Sequence, residues 1–79
     1  MKNKFTCVLE FRDKNMPKMY QEENNVGLAV CTINHWANQF AGIGSLWVYN
    51  PEGDKMCFDN FGKYFFTIQA KDLKSLHIE

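Results

Sequence analysis

From Val26 to Ala41 the chain keeps an apolar period of 3.6 over sixteen residues. At about 100° per residue, Val26, Ala29, Val30, Ile33, Trp36, Ala37 and Phe40 fall within an arc of roughly 120°, the stripe of a helix lying one-sided on a core. Asn24 or Asn25 can cap its start, and Gly42 sits where a helix terminates. Read alone, Val-Gly-Leu-Ala-Val-Cys-Thr-Ile would serve as a strand, and as a helix it sends Leu28 off the apolar arc. The strand reading accounts for only eight residues, so the spacing predicts a helix. In a chain of 79 residues, one helix of this kind can cover one face of a sheet and leave the other to something else.

The flanking segments read as that sheet. Residues 4–12 alternate, with Phe5, Cys7, Leu9 and Phe11 on one face and Lys4, Thr6, Glu10 and Arg12 on the other. Residues 13–24 are polar and carry Met16-Pro17, which predicts a loop held down by Met16, Met19 and Tyr20. Beyond Gly44, Ser45–Asn50 predicts a strand, Pro51-Glu-Gly-Asp54 a turn, and Lys55–Asp59 a strand pairing back. Asn60-Phe61-Gly62 is a second turn and Lys63–Ala70 a further strand. Leu73–Ile78 is expected as a short edge strand or a single helical turn. The expected architecture is a single α+β domain over residues 1–79: an N-terminal strand, one amphipathic helix, then a three- or four-stranded antiparallel meander.

Charge narrows the choice of partners. Nine basic and nine acidic residues cancel, which removes the electrostatic footprint of a typical nucleic-acid binder. Residues 1–20 carry a net +3 and residues 21–60 a net −4, a mild dipole rather than a phosphate-binding stripe. Eight lysines accompany a single arginine, the residue preferred for bidentate phosphate and base contacts. No apolar run approaches the roughly 20 residues of a membrane span, and the N-terminus lacks the apolar block of a signal peptide. The three cysteines, Cys7, Cys31 and Cys57, are odd in number and far apart, which argues for reduced thiols and a cytoplasmic location.

Catalytic and metal chemistry find little support. Cys31 and His35 lie four apart on the predicted helix, away from its apolar arc, but no third group is placed to orient the imidazole. A metal would need His77, Cys57 or an acid to join them, and neither Cys-x-x-Cys nor His-x-x-x-His occurs. Gly42-Ile-Gly44 follows a helix instead of opening one, the wrong order for a phosphate cradle. Glu22, Glu23, Asp54 and Asp59 fall in predicted loops and turns, where acids are ordinary solvated residues. A non-enzyme without cofactor or metal is therefore expected.

The aromatic residues carry the functional expectation. If Leu46 and Val48 face the helix, Trp47 and Tyr49 point to the opposite face. Val8, a residue of the Lys55–Asp59 strand, and one set of the Lys63–Ala70 strand join them there. That face is wet unless the 13–24 loop, a second copy or another partner covers it. Trp47 and Tyr49 would then anchor a protein partner, with Glu52, Asp54 and Asp59 forming an acidic rim that favours a basic one. A homodimer is one form such a covering takes. The small, Lys- and Asn-rich chain without a catalytic signature is similar in style to accessory proteins of phages and mobile elements, many of which bind and inhibit a host protein. The alternative is stacking of a nucleotide or single-stranded nucleic acid on the sheet, with Trp36 as a platform and Asn34 or Asn38 reading a base edge.

Overall fold

The structure is a computed structural model that describes residues 3–42 and 44–76, the last three of these by backbone alone. Its elements are β1 (Phe5–Phe11), β2 (Met19–Glu23), α1 (Val26–Gln39), β3 (Gly44–Tyr49), β4 (Lys55–Phe58), β5 (Tyr64–Ile68) and α2 (Ala70–Leu76). The strands form one antiparallel sheet in the order β2-β1-β3-β4-β5. The fold is thus α+β, with the expected meander in β3–β5.

The helix forms where the apolar period places it. Asn25 is its N-cap, in an extended conformation, and its side-chain oxygen accepts the Leu28 amide at 2.9 Å. The last turn closes at Phe40, and Gly42 takes φ 75° to turn the chain out. Ala29, Ile33, Trp36 and Ala37 are the buried stripe. They pack on Cys7, Leu9 and Phe11 of β1, Leu46 and Val48 of β3, and Phe58 of β4. Close packing at the β1–β3 seam requires Gly44, paired with Phe11. A Cβ there would stand 2.5 Å from the Glu10 carbonyl oxygen and 2.9 Å from Leu9 Cδ1.

Two segments differ from the sequence reading. Residues 13–24 are not simply a loop: Met19–Glu23 is β2, paired with β1 in the register Phe5↔Glu23 to Leu9↔Met19. Its polar composition hid it because an edge strand buries few of its side chains. Met19 packs against the core, while Met16 and Tyr20 are about half or more exposed. The segment therefore widens the sheet and does not cover its far face.

The second difference follows β5: the segment is helical, one of its two expected forms, but α2 starts earlier, at Ala70, and runs seven residues. The Ala70 amide donates to Asp54 Oδ1 at 2.7 Å, and the Gln69 carbonyl accepts from Asp72 and Leu73, so the chain is wound into a helix at once. Residues 77 and 78 of the expected element lie outside the described residues. No helix among the described residues is long and apolar enough to cross a membrane.

Candidate functional site

Side chains paired across an antiparallel sheet share a face, so the registers assign every residue. The face away from α1 carries an unbroken cross-strand row, Tyr20–Val8–Trp47–Cys57–Phe66. Beside it runs Glu22–Thr6–Tyr49–Lys55–Ile68. Trp47 and Tyr49 do point away from the helix, as the alternation requires, and Val8, Cys57, Phe66 and Ile68 join them.

The centre of this face is covered, while Tyr20 and Phe66 at its two ends are exposed. Trp47 is only 8% exposed, and Val8 is buried beside it. The Lys55 ammonium lies 4.3 Å from the centre of the Trp47 ring, and Tyr49 meets that ring edge-on at 6.5 Å. Long side chains of the adjacent row thus roof the centre of this face. Burial leaves the Trp47 indole nitrogen without a hydrogen-bond partner. Trp47 is a packing residue, and the expected role of an exposed anchor does not suit it.

The acidic rim is likewise engaged within the fold. Asp54 receives the Ala70 amide and the Asn50 side-chain amide, and these bonds hold its carboxyl below the usual range. Asp59 Oδ1 accepts the amides of Lys63 and Phe61, both at 2.9 Å, and its pKa is lowered chiefly by the Lys63 amide. The two acids are turn caps, set where Gly53 (φ 91°) and Gly62 (φ 83°) reverse the chain. Glu52 is exposed, with its own amide tied to Asn50 Oδ1. The three acids thus share one part of the sequence but not one role.

The residues of the stacking alternative are also dispersed. Trp36 is buried under α1, so no base can lie on it. Asn34 and Asn38 are exposed on the helix, and Asn34 donates to the Val30 carbonyl. Cys31 and His35 lie exposed on the same helix. Among the described residues no cluster of His, Cys, Asp and Glu could hold a metal, and none of the polar or charged residues is buried. His77 lies outside the described residues.

The openings of the surface include a polar one of about 440 Å³ beside Glu10, Arg12, Lys14 and Asn60, and an apolar cleft of about 550 Å³ lined by Phe11, Arg12, Asp13, Met16, Phe40 and Gly42. The apolar cleft lacks the several convergent polar groups that orient a small ligand in a pocket.

What the fold leaves unpartnered is the other margin of the sheet. α1 packs chiefly on β1, β2 and β3, and meets the β4–β5 half at Phe58 and at the turn carrying Gly62. Along that half, Phe61 is 82% exposed, Phe65 70%, Tyr64 52% and Phe66 46%. The four rings lie within six residues. A bulge opposite Cys57 and Phe58 produces this display. It pairs Tyr64 with Phe58 and Phe66 with Cys57, leaving Phe65 unpaired, its ring edge-on to Phe66 at 5.2 Å.

The turn before β5 is pressed onto α1. A Cβ on Gly62 would stand 2.8 Å from Asn34 Oδ1 and 3.2 Å from Ala37 Cβ, so Phe61 is carried outward on a turn that is itself seated. The sequence held a signal for this site. A phenylalanine in a turn, followed by three successive rings at 64–66, cannot all be buried under one helix.

Comparison with protein-family models, with curated proteins and with solved structures finds nothing similar to this chain. The fold class is an α+β domain, a five-stranded antiparallel sheet half covered by one helix.

Proposed function

We propose that this chain is a non-enzymatic protein-binding module whose docking surface is the aromatic margin formed by Phe61 and β5. The observation that carries the reading is the exposure of four aromatic rings beside a strand edge that no other strand occupies among the described residues. Exposed aromatic clusters of this size mark interaction surfaces on small domains, and an open strand edge adds a row of main-chain donors and acceptors. This margin replaces Trp47 and Tyr49 as the source of anchors. With Asp54 and Asp59 engaged in their turns, main-chain pairing and ring burial supply the affinity, with no need for a basic partner.

A photo-crosslinking amino acid in place of Phe65, irradiated in the cells that express the chain, tests the reading. A discrete protein adduct is expected from position 65 and none from Lys14, which lies in the β1–β2 connection. Absence of a protein adduct at position 65 refutes the proposal. An adduct with nucleic acid there would favour the stacking alternative, with Phe65 and not Trp36 as its platform.

A further inference from the structure

The two edges of the sheet are built differently. β2 is introduced by Pro17 and carries Glu22 and Glu23 in its five residues, devices that discourage a second chain from pairing there. β5, Tyr-Phe-Phe-Thr-Ile, has no charge and no proline, and its residues are among the strongest strand formers. The helix that follows starts on the inner side of β5, toward β4. α2 is fastened at its first residue to the β3–β4 turn, by the Asp54–Ala70 hydrogen bond and the 3.6 Å approach of Ala70 Cβ to a Cβ built on Gly53. α1 packs chiefly on β1, β2 and β3.

We infer that the occupant of the β5 edge is a second copy of this chain, paired antiparallel through β5 about a two-fold axis to give one continuous sheet. The inference rests on the protein-binding reading above and names the partner. In the register centred on Phe66, the two Phe66 rings stand opposite each other and Lys63 stands opposite Gln69, so no like charges meet along the seam. The net charge of zero means the approaching copies do not repel at long range.

The available area is sufficient. At about 200 Å² per ring, the exposed fractions of Phe61, Tyr64, Phe65 and Phe66 sum to roughly 500 Å² per copy. Two copies that bury these rings in full would reach ~1,000 Å², the lower bound of a specific interface. Because Pro17, Glu22 and Glu23 discourage pairing at the β2 edge, assembly through β5 is expected to close at two copies and not to propagate into a fibre.

Sedimentation equilibrium and native mass spectrometry across the micromolar range test this. The expected result is a mass of twice the 9.3 kDa chain. Phe65→Glu sets a charge opposite Thr67 of the second copy and Thr67→Lys sets one against its Phe65 ring, each burying an unpaired charge in the seam, and both are expected to weaken dimerisation about 100-fold or more. Gln21→Lys, on the other edge, should leave it unchanged. Hydrogen exchange on the unaltered chain gives an independent reading: β5 amides should lose protection on dilution while β2 amides do not.

A wild-type monomer throughout the range overturns the inference, as does a dimer whose β5 protection is independent of concentration. If the chain is monomeric yet the position-65 crosslinker captures a protein of another mass, self-pairing fails and the protein-binding reading survives. If it captures no protein, both fail.

Discussion

Replacing Trp47 separates a packing role from an anchoring one, and its magnitude follows from the structure. A tryptophan side chain buries up to about 250 Å², and Trp47 is only 8% exposed. At about 25 cal/mol per Å², removing it forfeits roughly 5 kcal/mol of apolar burial. Against this, the buried indole N–H has no partner, and its removal returns about 1–3 kcal/mol of desolvation cost. Trp47→Ala is therefore expected to cost about 3 kcal/mol, a shift of roughly 15 °C in Tm for a domain of this size.

Trp47→Phe keeps most of the ring and deletes the unpaired N–H, so it should fall within about 1 kcal/mol of the parent. Urea denaturation followed by far-UV circular dichroism measures both. All variants must be compared at one protein concentration, because self-association contributes to apparent stability. A Trp47→Ala variant as stable as the parent would refute the burial of this face. A Trp47→Phe variant as damaged as Trp47→Ala would show that the indole nitrogen has a partner after all.

Three further outcomes are expected. Gly62→Ala meets both a positive φ of 83° and the Asn34 and Ala37 side chains, so it should cost about 1–3 kcal/mol; unchanged thermal stability would mean that the turn is not seated on α1. Alkylation of the folded protein should reach exposed Cys31 first and spare Cys7, whose pKa is pushed up to about 12 by burial and then by the charge of Glu23. Mass spectrometry showing Cys7 labelled as fast as Cys31 would contradict this. The pKa of Glu23 is lowered chiefly by the Thr32 hydroxyl, that of Asp54 by the Ala70 amide and that of Asp59 by the Lys63 amide. Depressed folded-state values contribute stability that is full above the unfolded values of 4.5 and 3.8 and is lost as pH falls through the folded ones. Urea midpoints should therefore be level above about pH 5 and fall below it, less steeply for Asp54→Asn.

Legibility in the sequence followed the strength of local periodicity. The β1 alternation and the 26–40 stripe each bury one face, so their residues reveal the element and what it faces. Leu46 and Val48 turned to the helix, and Trp47 and Tyr49 away from it, for the same reason. β2 was not legible. Met19-Tyr-Gln-Glu-Glu23 has no alternation of its own and becomes a strand because β1 offers it a free edge. The onset of α2 was hidden in the same way, since its first amide is satisfied by Asp54, sixteen residues earlier.

The amino-acid order by itself determined an α+β chain with one helix on a sheet, and a supply of rings larger than that helix can cover. Only the tertiary structure decided which rings stay outside. Period-two alternation assigns a residue to a face but says nothing of its depth, which depends on neighbours brought from distant strands. Trp47 is roofed because Lys55 and Tyr49 reach across it from the adjacent row. Phe65 stands in solvent because a bulge unpairs it on the last strand of the sheet, while α1 packs chiefly on β1, β2 and β3.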